Sequence, residues 1–222
     1  MTYWHLVTEI GNIVLTGVLA AILTLWLLLE GRVALARDWC VLFGGGLFIV
    51  LVTKFVFVGW GIGSQWLDFT GLSGHAMRAM CALPVLGFLL FYHARPFVRT
   101  SAVVVMLALG ISICWSRLVV HAHSPSEVLS GGGFGLLLAA LFMQRVGLAQ
   151  RFRFNHGLVA VGLLGLMISP GSAPMATQNK LIQITLAMTG HPRPFTRLGW
   201  RYDPYYCIEP APGKTTFCQH YP

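Results

Sequence analysis

The sequence is poor in charge. Only 10% of its 222 residues are Asp, Glu, Lys or Arg, and only seven are acidic, where a soluble domain carries about 25% charged residues. A water-facing surface over the whole chain is therefore excluded. So few carboxylates do not build a magnesium site without help from a substrate, so no metal and no cofactor are expected. No run of Lys or Arg occurs, so the formal charge of +8 does not point to a nucleic-acid partner. The five cysteines lack metal-ligand spacing, and Cys40, Cys81 and Cys114 lie in or beside apolar runs, where they read as small core residues. No Lys or Arg precedes Glu9, so the positive region of a signal peptide is missing as well.

What is abundant is apolar surface: 56% hydrophobic residues and a mean hydropathy of +0.71. A membrane span needs about 20 apolar residues. Five runs meet that length, roughly 10–29, 39–60, 76–93, 98–116 and 125–144. A weaker sixth, roughly 154–171, ends at Ser169-Pro170-Gly171. Arg32 and Arg37 follow the first run, Arg95 and Arg99 the third, and Arg145, Arg151 and Arg153 the fifth. By the positive-inside rule these gaps face the cytoplasm, which puts both termini and the gaps after the second and fourth runs outside. The expected fold is an all-α polytopic membrane bundle of six transmembrane helices over residues 1–171, with an extracytoplasmic tail over 172–222. The expected location is a bacterial inner (cell) membrane. Trp60, Trp66 and Trp115 fall at the expected outer boundary, where aromatic belts form. The glycines at 44–46 and 131–133 are expected to let helices approach closely. In the tail, residues 180–188 have the length of a short interfacial helix.

Polar residues in or beside apolar spans demand an explanation. Lys54 lies near the end of the second run, Ser73-Gly74-His75 in the gap that follows, and Ser116-Arg117, His121, His123 and Glu127 bridge the fourth and fifth runs. Lys54 stands about 24 Å beyond Asp38 and Arg117 about 27 Å beyond Arg99 along their helices, so all these groups converge near the outer surface. Each has a bland reading: a lone Lys near a span end snorkels, and a lone Arg pairs structurally with an acid. Together they suit phosphate chemistry. Lys54 and Arg117 can bind phosphoryl oxygens. Ser73 and the Gly74 backbone can donate to them. Ser124-Pro125 reads as N-cap and first residue of a helix whose free N–H groups attract anions. Glu127, four residues after His123, can orient its imidazole. His75 and His123 supply one nucleophile and one general acid.

These residues resemble the type 2 phosphatidic acid phosphatases. That family's third block is Ser-Arg, five residues, His, three residues, Asp; Ser116-Arg117, His123 and Glu127 match the spacing, with Glu in place of Asp. Its second block is Pro-Ser-Gly-His, here Leu72-Ser73-Gly74-His75, and forty residues separate it from Ser116. Its first block is Lys, six residues, Arg-Pro; Lys54 fits, but Gly61-Ile62 stand where Arg-Pro would be. The resemblance implies that His123 attacks phosphorus, that Glu127 orients it, and that His75 protonates the leaving oxygen and later activates water. It also implies that Lys54, Ser73, Gly74, Ser116 and Arg117 bind phosphate, without a metal. Arg78, one turn beyond His75, is the expected substitute for the missing Arg, with Arg201 of the tail as a weaker one. Gly61→Arg is expected to restore part of that loss.

The expected activity is hydrolysis of a lipid phosphomonoester or pyrophosphate at the outer face of the membrane. Two alternatives stay open: a phosphotransferase using the same site, and a catalytically weakened protein that binds lipid phosphate or assists its transport. The partners are then the substrate and membrane lipids, with the identity of the lipid and the oligomeric state open. Cys207 and Cys218 enclose ten residues with Pro210, Pro212 and Gly213, and are expected to form a disulfide outside the cytoplasm.

Overall fold

The computed structural model describes residues 2–148, 175–190, 193–197, 205–208 and 217–220. The chain is helical: α1 (Thr2–Ile10), α2 (Ile13–Leu29), α3 (Val33–Trp60), α4 (Gly74–Leu90), α5 (Pro96–Val119), α6 (Pro125–Leu148) and α7 (Met175–Thr189), followed by strands β1 (Tyr205–Ile208) and β2 (Phe217–His220). The first five expected spans correspond to α2 to α6. The sixth, 154–171, lies outside the described residues. Among those described, four helical stretches are long and apolar enough to cross a membrane: Tyr3–Leu29, Val33–Trp60, Pro96–Val119 and Pro125–Leu148. This is a membrane protein, with Phe48, Val105, Ile111, Leu129 and Leu137 exposed on its surface, as lipid-facing side chains must be. The small hairpin of the tail departs from an all-α chain. Its strands, Tyr-Tyr-Cys-Ile and Phe-Cys-Gln-His, are rich in residues that favour pleated backbone.

The chain divides into two compact units, Met1–Val50 with Ser73–Ser172, and Leu51–Leu72 with Ala173–Pro222. In the first, α4 is the central helix. It packs against α5, α6 and α2, and almost every residue from Gly74 to Leu89 is buried. At 17 residues it is shorter than its neighbours, about 26 Å long. Trp39 locks α3 to α2 through its indole N–H, which donates to the Ala20 carbonyl at 3.1 Å, and its ring lies tilted against Phe142 of α6 with centroids 5.1 Å apart. The glycines divide by function. A Cβ on Gly135 would run into the Met77 carbonyl, and one on Gly131 would come within 2.6 Å of the Ser73 carbonyl oxygen, so these two set the α4–α6 approach. A Cβ on Gly46 likewise meets Leu138, whereas one on Gly44, Gly45 or Gly133 meets nothing within 4 Å among the described residues; close approach there explains only part of each glycine run.

In the second unit the tail folds onto the segment after Lys54. Phe195 is buried against Phe57, and its N–H donates to the Val58 carbonyl at 3.0 Å. Arg197 pairs with Asp68 at 3.4 Å and donates to Thr70 Oγ1. In the hairpin the register sets Cys207 opposite Cys218.

Candidate active site

The site starts from how α5 ends. Val120 caps the helix, His121 takes a left-handed φ of 52°, its N–H donates to Leu118 O and the Ala122 N–H donates to Arg117 O. This paired pattern is a Schellman turn. It fixes the number of residues between Arg117 and His123, and it gives His121 a structural role at the turn. Ser124 then opens α6. Its hydroxyl accepts from the Glu127 N–H at 3.4 Å, while the Glu127 carboxylate reaches back to the Ser124 N–H at 3.3 Å, forming a capping box. The same carboxylate oxygen, Oε2, lies 2.7 Å from His123 Nδ1. Glu127 is completely buried, and His123 is partly exposed, its side chain keeping 12% of its accessible surface. The longer Glu side chain thus serves two partners, the His123 ring and its own helix cap. This accounts for Glu at a position where the family pattern has Asp.

Ser73 caps α4, accepting from the Ala76 N–H. Its own N–H donates to the Glu127 carbonyl at 3.1 Å. That backbone bond joins the Ser73-Gly74-His75 segment to the His123-Glu127 turn, and Gly131 permits it by leaving room for the Ser73 backbone. His75, the second residue of α4, is therefore carried on the same layer as His123. The fit at Gly74 is tight: a Cβ there would come within 3.0 Å of Arg78 Nη1 and 3.3 Å of Val50 Cγ1.

Arg78 is buried, donating from Nε to Thr16 Oγ1 at 2.9 Å and from Nη2 to the Gly11 carbonyl at 3.2 Å. Arg117 donates from Nη1 to Thr8 Oγ1 at 2.7 Å, and its Nε is buried with no acceptor among the described residues. Ser116 is buried, and its hydroxyl donates to the Ile113 carbonyl at 2.6 Å, which commits that proton to its own helix. Lys54 belongs to the second unit, where the Gly71 backbone packs on Thr53 and Lys54. Arg201 lies outside the described residues. The sequence reading missed Thr8, Gly11 and Thr16. Thr8, Asn12 and Thr16 recur at intervals of four through an apolar run, a one-faced polar stripe that was the available signal.

Gly61 overturns one expectation. It ends α3 with a left-handed φ of 68°, and a Cβ there would come within 2.8 Å of the Phe195 ring. Gly61→Arg will not restore a phosphate ligand. The strained backbone and the overpacking together cost roughly 2–5 kcal/mol. A thermal melt in detergent is expected to show a lower Tm by several degrees, with no gain in kcat/KM.

A family model, the PAP2 superfamily, matches residues 52–151, the segment that holds all three motif blocks. The chain belongs to this superfamily. An uncharacterized 22.5 kDa protein in the cps region of Klebsiella pneumoniae is 34% identical over 199 residues, covering 87% of this chain and 95% of that protein. No solved structure matches the chain. Membership of the PAP2 superfamily supports a phosphatase-type activity. Thr8, Gly11 and Thr16 lie outside the matched segment.

Proposed function

We propose that this PAP2 protein is a membrane-embedded lipid phosphatase, removing phosphate from a lipid phosphomonoester or pyrophosphate through a phosphohistidine on His123. The observation that carries this reading is the His123–Glu127 pair, 2.7 Å apart with the carboxylate fully buried. Glu127 fixes the proton on Nδ1, which makes Nε2 the attacking nitrogen. Nε2 bonds to phosphorus as the phosphorus–oxygen bond to the lipid breaks, and His75 gives its proton to the departing oxygen. Water then attacks the phosphohistidine, His75 takes its proton, and inorganic phosphate leaves with His123 restored. Arg117, the Ser73-Gly74 backbone and the Nη1 edge of Arg78 stabilise the charge on the phosphoryl oxygens, and the family pattern gives Lys54 the same role. Ser116 contributes by holding the end of α5.

The arginine distribution favours a site on the outer face of a bacterial inner membrane. The decisive experiment is phosphate release by the purified protein against a panel of lipid monophosphates and pyrophosphates. Turnover of at least one lipid supports the reading, and release from none, or only from water-soluble esters, removes it. Gly61 and Phe195, at the place where the family pattern has Arg, favour a second reading: a weakened protein that binds lipid phosphate without turning it over. Binding without release would select it.

The arginine distribution favours an extracytoplasmic, oxidising compartment for the tail hairpin, and we propose that it carries a Cys207–Cys218 disulfide. Directly opposed residues of an antiparallel pair have Cα atoms about 4.5–5.5 Å apart, inside the range a disulfide spans. Closing this loop stabilises the tail by roughly 2–4 kcal/mol. Non-reducing peptide mass spectrometry is expected to find the two cysteines linked. Free thiols on both, in protein purified without reductant, would refute the bond.

A further inference from the structure

The turn between α1 and α2 holds both arginines of the proposed site and borders one of its histidines. Thr8 Oγ1 accepts from Arg117, while the Gly11 carbonyl and Thr16 Oγ1 accept from Arg78. A Cβ on Gly11 would lie 3.4 Å from His75 Cδ2 and 2.6 Å from Ile113 Cγ2, so the turn is tightly seated there. Asn12 makes it rigid: its Oδ1 accepts from the Val14 N–H at 2.6 Å and its Nδ2 donates to Glu9 Oε2 at 3.0 Å. Thr8, Asn12 and Thr16 are all buried.

Every acceptor that the turn offers directly to these arginines is neutral, two hydroxyls and one carbonyl. A carboxylate in the same place would hold a guanidinium equally well but would cancel its charge and compete with a phosphate. A neutral acceptor fixes the geometry and leaves the charge. Glu9 is near enough to attract Arg117, yet its Oε2 is bound by Asn12. The arrangement also addresses entropy, because a flexible arginine loses rotamer freedom when it is ordered. An arginine already ordered by the fold does not lose that freedom again when an anion binds.

We propose that Thr8 is a positioning residue for Arg117: its hydroxyl takes Nη1 and so presents the Nε edge, buried and without an acceptor among the described residues, to a phosphoryl oxygen. This inference rests on the phosphate site proposed above and adds to it a segment outside the superfamily motifs. The test uses the full-length protein in detergent with orthovanadate as the oxyanion probe, its binding measured by calorimetry alongside phosphate release. Thr8→Val is expected to bind vanadate about tenfold more weakly and to raise KM about tenfold, with kcat within about threefold of wild type. Thr8→Ser, which keeps the hydroxyl, is expected to match wild type. If Thr8→Val does not fold, Thr8→Ala, which only removes atoms, carries the same expectation. A role in packing alone would lower Tm in these variants and leave vanadate affinity and KM unchanged, and that result overturns the proposal. Wild-type protein that binds vanadate but releases no phosphate from any lipid defeats the hydrolase reading, while the Thr8 comparison by calorimetry still decides this one. Wild-type protein that does not bind vanadate overturns both.

Discussion

His123→Asn and His123→Ala will each lower kcat for phosphate release by about a hundredfold or more. In the proposed mechanism the nucleophile is the imidazole Nε2, which neither variant retains. Glu127 is fully buried and shared between the ring and the Ser124 N–H, so it cannot swing out to attack. The two variants separate chemistry from folding. Alanine leaves the buried Glu127 carboxylate without its ring partner, which costs stability as well as rate. Asparagine keeps an N–H donor for Glu127 and removes only the nucleophile, so its Tm should stay closer to wild type while turnover is still lost. The measurement is steady-state phosphate release from a lipid phosphate in mixed micelles, with a melting curve for each variant. Near-normal turnover in His123→Asn would end the phosphohistidine account.

His75→Ala is the second large effect, and it depends on the substrate. A lipid alkoxide is a poor leaving group and needs a proton, so turnover of a lipid monophosphate should fall by about a hundredfold or more. An aryl phosphate expels a phenolate stable enough to leave without one. Phosphorylation of His123 should then survive in His75→Ala, while hydrolysis of the phosphohistidine, which needs His75 as base, remains slow. Rapid-quench kinetics should show a burst of phenolate, about one equivalent per site, followed by a slow steady state. Equal losses on both substrates, with no burst, would place His75 outside acid–base chemistry.

Much of the site could be read in the sequence because its parts lie on local structure. The Arg117-to-His123 interval is the length of one Schellman turn, and His123 to Glu127 is one helical turn closed by a capping box, so spacing alone carried the geometry. The apolar runs likewise marked the helices α2 to α6, although α4, at 17 residues, is shorter than the four described stretches long enough to cross a membrane. Contacts between distant segments were a different matter. Thr8 meets Arg117 across 109 positions of sequence, and no local pattern announces such a bond. Gly61 looked like a lost arginine. Its backbone conformation and the Phe195 ring that closes over it come from the end of α3 and from the tail, and neither is visible at position 61 itself. The glycine runs showed that close packing was available, but not that Gly131 and Gly135 would bear it while Gly133 would not. The hairpin strands were too short, at four residues each, to stand out from a polar tail.

In the proposed mechanism His123 carries the phosphoryl group. The most direct test incubates His75→Ala with an aryl phosphate, quenches at alkaline pH to preserve an acid-labile phosphoramidate, and maps the added phosphoryl group by peptide mass spectrometry. The account predicts a near-stoichiometric label on His123, removed by acid and absent from a variant that also carries His123→Asn. A label on another residue, or no label in protein whose wild-type form turns over the same substrate, would contradict it.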